Sequence, residues 1–127
     1  MRTICILISL TLLACACNNE PAKESKKMLR HVVLFGFNDD LSAEQVQEVE
    51  TAFANLPKQI DVIKGYEWGT DCSPEGIQKG HTHCFFLSFE SEKDRDAYLV
   101  HPAHKQFGQL IQGKLKAVTV VDYWAER

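Results

Sequence analysis

The sequence has no long hydrophobic run. Its longest mainly apolar stretch, Ile4 to Ala14, has eleven residues, whereas a helix that crosses a bilayer needs about 20. No segment therefore reads as a membrane span. A basic block is missing as well: beyond Lys26-Lys27 there is no cationic cluster, and 17 acidic against 14 basic residues leave a formal charge of −3. That balance gives no reason to expect a nucleic-acid partner. An apolar content of 45% excludes a disordered chain. At 127 residues there is room for one domain and a tail.

Residues 1–17 stand apart from that domain. Arg2 supplies a minimal positive start, and the apolar run after it matches the core of a secretory signal. It ends in Leu12-Leu13-Ala14-Cys15, which resembles the box of bacterial lipoproteins, where the cysteine becomes the lipidated N-terminus. Cys17 is the alternative, although it lacks the leucine three positions upstream. Residues 18–27 are polar, charged and contain Pro21, so they read as a tether. Partition to the membrane is then expected through the lipid anchor only, in the bacterial cell envelope. Translation from Met28 would instead give a cytoplasmic protein.

Cysteine is too sparse to staple the remainder. If a hairpin closes between residues 72 and 81, Cys84 faces roughly residue 69, which offsets it from Cys72 by about 10 Å along the strands. That exceeds disulfide reach, so two separate buried thiols are expected.

What the chain does have is alternating strand and helix signals from residue 28 to 127. His31 to Phe37 is β-branched and aromatic and apolar on both parities, as in a strand covered on both faces. Ser42 with Gln45 forms a capping box, flanked by Leu41 and Val46 as a hydrophobic staple. The helix they open carries Val46, Val49, Phe53 and Leu56 on one stripe and is expected to stop at Pro57. Ile60 to Thr70 reads as a second strand, 72–80 as a loop, and His81 to Phe89 as a third strand. Ser91 caps a second helix, and Ala117 to Trp124 closes the domain as a fourth strand.

Between the last two elements lies Tyr98-Leu99-Val100-His101-Pro102-Ala103-His104. Proline removes a backbone donor and disfavours helix in the residue before it, so the helix should break at His101 and restart at Pro102. Tyr98 and His101 are helical neighbours, and His104 lies one turn later, past the break.

The order β-α-β-β-α-β is that of the α+β ferredoxin-like fold. Its helices cover one face of the sheet, yet strands one, three and four are apolar on both. A second copy of the chain would cover the other face, giving a two-fold dimeric α/β barrel.

The residues Leu29 to Phe35, Gly69-Thr70-Asp71, Gly80-His81-Thr82-His83, Phe89-Glu90-Ser91, the Tyr98–His104 run and Val121-Asp122-Tyr123 resemble the stress-responsive dimeric α/β-barrel (Dabb) family. The resemblance implies that fold, a homodimer and an interior cavity. It also implies site residues by analogy with a plant polyketide cyclase of the family, which closes an aromatic ring by aldol condensation. That enzyme's functional tyrosine and histidine correspond to Tyr98 and His104, and its supporting histidines to His31, His83 and His101. A tyrosine on its first helix is Phe53 here, so one polar group of that pocket is missing.

Two functional readings arise. One is a module that binds a small hydrophobic or aromatic molecule in the barrel interior, with a role in a stress response and without turnover. The other is a cofactor-independent enzyme of the cyclase, lyase or monooxygenase type, with His104 as general base and Tyr98 as its hydrogen-bonding partner. Thioester substrates are cytoplasmic and a lipoprotein is not, so the literal cyclase reaction is not expected. His81 and His83 alternate as a chelating pair would, but no third ligand is placed beside them. No metal or cofactor is expected.

Overall fold

The computed structural model describes residues 27–126. The expected signal segment, Cys15 and its alternative Cys17, and the tether up to residue 26 lie outside the described residues. In chain order the elements are β1 (Leu29–Phe37), α1 (Ala43–Gln59), β2 (Gly65–Thr70), β3 (His83–Phe89), α2 (Glu92–Val100), α3 (Pro102–Leu110) and β4 (Leu115–Trp124). The strands form one antiparallel sheet in the order β2-β3-β1-β4. This is the ferredoxin-like α+β fold, with its second helix split in two.

Local chemistry accounts for most element boundaries. At the start of α1 the Gln45 N–H donates to Ser42 Oγ at 3.3 Å, and the Ser42 N–H donates to Gln45 Oε1 at 2.9 Å. The capping box thus satisfies two donors that the first turn would leave unpaired. Pro57 does not end the helix as expected: α1 runs on to Gln59 with Pro57 inside it. So close to the C-terminus, the missing N–H removes one bond, and the Ile60 N–H still closes onto the Leu56 carbonyl at 3.0 Å. The second strand starts at Gly65 rather than Ile60. Ile60 and Ile63 are apolar because they turn into the core from the connection, not because they are strand residues.

The break lies where proline chemistry puts it. His101 is extended (φ −63°, ψ 138°), ending α2 and capping α3, and Pro102 occupies the first position of the new helix. The His101 ring Nδ1 accepts from the Ala103 N–H at 3.1 Å, which satisfies a donor that the proline-initiated turn exposes.

Leu29, Val33, Phe35, Phe85, Leu87 and Phe89 project from β1 and β3 toward the helices and are buried against Val49, Phe53 and Leu56 of α1. The opposite sheet face carries Val32, Leu34, Phe86, Val121 and Tyr123; Val121 is 49% and Tyr123 44% exposed. The β2–β3 loop folds back beside this face. Its Gly80 carbonyl lies so near Gly36 that a Cβ there would sit 2.1 Å from the oxygen, so only glycine fits. Cys84 pairs with Gly69, as the hairpin geometry implied. Both thiols are free and neither is buried as expected: Cys72 is exposed with the loop around it, and Cys84 is half-buried.

Candidate functional site

The sheet and the broken second helix do not close completely. Between β1, β4, α2 and α3 lies a cavity of about 290 Å³, walled by Val33, Phe35, Phe53, Phe107 and Ile111, with His31, Tyr98, His104 and Asp122 as its polar groups. The break causes this opening, since α3 leaves the line of α2 at His101. The edge strand β4 forms one side. Its Val118 and Val120 share a face with Phe35 and Val33, yet they are 54% and 51% exposed. The helices therefore do not cover β4, and two valines line the mouth with Leu99, itself 40% exposed.

Tyr98 and His104 meet here as their spacing suggested, with ring centroids 4.3 Å apart. Tyr98 is 1% exposed. Burial and, second to it, the Asp122 carboxylate hold its phenol far above the ordinary value of 10.0. At neutral pH it is a hydrogen-bond donor and not a base. His104 Nδ1 lies 3.1 Å from the Leu99 carbonyl oxygen. A carbonyl can only accept, so Nδ1 carries the hydrogen and the Nε2 lone pair stays free. Burial is the main cause that lowers the His104 pKa below 6.5; the Leu99 hydrogen bond opposes it and His31 reinforces it. His104 is therefore a neutral imidazole at neutral pH, the form a general base requires.

His31, the third expected residue, stands on β1 with its ring 5.6 Å from that of Tyr98. Its Nδ1 is 2.5 Å from Asp122 Oδ1, directly opposite it in the β1–β4 register. The second carboxylate oxygen receives Nη1 of Arg95 from α2. Phe53 also lines the cavity, where it adds only apolar surface.

Two expected residues are elsewhere. His83 does not line this cavity. It shares the strand face of His31 but sits near the other end of the sheet, where Trp68 stacks parallel to it and Phe37 meets it edge-on. There Nε2 lies 2.9 Å from Glu50 Oε1 and Nδ1 lies 2.8 Å from Thr82 Oγ1. It borders a different hollow of about 310 Å³ beneath the β2–β3 loop. His101 does not line the cavity either, because its ring is turned back onto its own helix as the α3 cap. His81 and His83 do not converge: the nitrogens of His81 face the Gln78 carbonyl and Thr119. With all four ring nitrogens engaged, the pair is not arranged to chelate.

Sequence reasoning missed Asp122, Arg95 and Gly108 as site residues. A single carboxylate within the apolar run Val118 to Tyr123 was the available signal for Asp122. Arg95 and Gly108 carried none, because their roles depend on which strand faces which helix. Tyr66 lies outside the cavity lining. Its hydroxyl is buried without a hydrogen-bond partner among the described residues, its ring stacks on Phe53 at 5.9 Å, and burial pushes its pKa up to about 12.

Comparison with known proteins agrees with this fold. Residues 29–125 match the model of the stress responsive A/B barrel domain, Dabb. The chain is 39% identical over 101 residues to the stress-response A/B barrel domain-containing protein HS1 of Arabidopsis thaliana, spanning 80% of this chain and 93% of that one. It is 28% identical over 95 residues to olivetolic acid cyclase of Cannabis sativa, spanning 75% and 94%. A dimeric ferredoxin-like protein from Thermobifida fusca superposes with a TM-score of 0.68 at 27% identity, spanning 80% and 93%. The chain belongs to the stress-responsive A/B barrel (Dabb) domain family.

Proposed function

We propose that this protein is a homodimer that binds a small hydrophobic or aromatic molecule in the cavity of each protomer. The cavity itself carries the reading: apolar walls around a few convergent polar groups are the usual make-up of a small-molecule site. The test is an NMR titration of the full chain with 4-butylphenol, a neutral aromatic probe. Shifts should concentrate on Phe53, Leu99, Gly108 and Val120. Absence of saturable shifts there at millimolar probe would refute the reading.

A second reading, acid–base catalysis without a cofactor, is favoured by the state of His104. Its free Nε2 can take a proton from the carbon α to a bound carbonyl, while the Tyr98 hydroxyl donates to the oxygen that gains charge. Similarity to olivetolic acid cyclase supports this class of chemistry. Exchange of the α-protons of phenylacetone into D2O measures it without the natural substrate. His104→Ala should abolish the exchange.

Assembly rests on the uncovered sheet face, where Val32, Phe86, Val121 and Tyr123 form an apolar surface that a second copy would bury. The Thermobifida fusca relative is described as dimeric. Sedimentation at micromolar concentration should show a dimer, and Phe86→Glu should yield a monomer; a wild-type monomer contradicts the proposal. Anchoring rests on Leu12-Leu13-Ala14-Cys15 alone. Intact mass of the natural product should show an acylated Cys15, and an unmodified N-terminus at Met28 would overturn it.

A further inference from the structure

The ion-paired triad Arg95–Asp122–His31 draws one element from each side of the cavity, and the acid–base reading above gives it no task. Arg95 comes from α2, Asp122 from the edge strand β4 and His31 from the central strand β1. Each carboxylate oxygen has its own partner, Oδ1 facing His31 Nδ1 at 2.5 Å and Oδ2 facing Arg95 Nη1. The guanidinium fixes the plane of the carboxylate. An ionised carboxylate only accepts, so the hydrogen of the His31 ring sits on Nδ1. That leaves Nε2 as the ring's remaining polar atom, and among the described residues it takes no hydrogen bond. His104 is held in the same tautomer by the Leu99 carbonyl. Two imidazoles in one cavity wall thus both keep Nε2 available, and they differ in their support: a neutral carbonyl behind His104, a charged carboxylate behind His31.

We infer that Asp122, itself held by Arg95, is a positioning residue that makes His31 Nε2 the second proton-transfer atom of the cavity, opposite in role to His104. A proton arriving at His31 Nε2 makes the ring a cation whose charge the carboxylate balances, whereas a cation on His104 meets only the carbonyl dipole. The complementary step on a bound carbonyl compound then balances. Starting from that His31 cation, formed by a proton from solvent, His104 Nε2 takes the α-proton, the C–H pair becomes the C=C bond, and the C=O π pair moves to oxygen. That oxygen takes the Nε2 proton of His31, which returns to its neutral Nδ1–H form while His104 becomes the cation. The product is the enol, and reversal returns both protons. This extends the acid–base reading and depends on it for the transfer half, while the tautomer half stands independently.

Two measurements on the full chain separate these halves. Ring ¹⁵N NMR of histidine-labelled protein reads the tautomer directly. Wild type should show His31 as Nδ1–H, and Asp122→Val, which keeps a strand-forming residue but removes the acceptor, should show mixed tautomers. Asp122→Glu should restore the wild-type pattern. If Asp122→Val does not fold, Arg95→Met with its rescue by Arg95→Lys tests the same link. An unchanged His31 tautomer in a folded Asp122→Val, or in Arg95→Met where that variant is the one used, overturns the positioning role. Phenylacetone α-proton exchange reads the transfer: Asp122→Val should slow it at least tenfold, and Asp122→Glu should restore it. Unaltered exchange with a lost tautomer overturns the transfer role. No exchange by wild type itself rejects the acid–base reading and with it the transfer half, and the NMR result still decides the positioning.

Discussion

His31 and His83 sit on the same face of one sheet, each on a central strand and each against a carboxylate, and they meet opposite fates. His83 is locked in place, although the hollow beneath the β2–β3 loop reaches it: Trp68 stacks on its ring, Phe37 abuts its edge, and Glu50 and Thr82 engage both nitrogens. His31 borders a cavity. The cause is the helix above. Continuous α1 presses Val49, Phe53 and Leu56 onto the sheet, whereas α2 and α3 are separated by the break at His101-Pro102 and leave Val118 and Val120 of β4 half exposed. Strand parity decides which face a side chain takes; continuity of the overlying helix decides whether that face becomes core or site.

The strongest way to break this comparison is to remove one imidazole from each region. His83→Ala leaves a void and strips Glu50 and Thr82 of their partner. A loss of about 2–4 kcal/mol in urea unfolding is expected, from truncation plus unpaired polar groups. His104→Ala opens onto space that is already empty and should cost no more than about 1–2 kcal/mol, while phenylacetone exchange disappears. Similar losses at both positions would mean that the Tyr98–His104 pair is structural packing.

Gly108 sharpens the comparison from the helix side. It lies in α3 on the cavity wall, and a Cβ built there meets no atom within 4 Å. Glycine in a helix interior costs about 0.5–1 kcal/mol relative to alanine, so the fold forgoes that stability where the cavity gains room. Gly108→Ala should raise stability by that amount in thermal melts. Gly108→Leu should keep the fold and abolish 4-butylphenol binding. Full binding by the leucine variant would place the ligand elsewhere.

How far the sequence reached obeys the same division. The broken helix was legible because Ser91, His101 and Pro102 act on their own neighbours, through caps and a missing N–H. Tyr98 with His104 was legible because one helical segment holds both. The start of β2 was not: Ile60 and Ile63 carry the same apolar signal in a turn into the core as they would in a strand. His83 was assigned to the wrong cavity because parity is local, whereas coverage by Trp68 and α1 is not. Asp122 went unread as a site residue because its partnership with His31 is a fact of register between strands 91 residues apart in sequence.

The smallest effect concerns protonation. The folded pKa of His104 lies below its ordinary 6.5, chiefly through burial. Above pH 6.5 the ring is neutral in both folded and unfolded chains and contributes nothing to the pH dependence. As pH falls beneath 6.5, the unfolded chain binds a proton that the folded one resists, so stability drops with acidification across that window. The site is only half-buried, and solvent screening keeps the term small. The measurement is the difference in unfolding free energy between wild type and His104→Gln as a function of pH. It should be flat above 6.5 and turn against wild type below it. Protection of His104 by bound 4-butylphenol should deepen that turn, because a filled cavity withdraws Nε2 further from water. A difference that stays flat throughout would mean that His104 faces solvent and not the cavity, and His31 and His104 would no longer share one site.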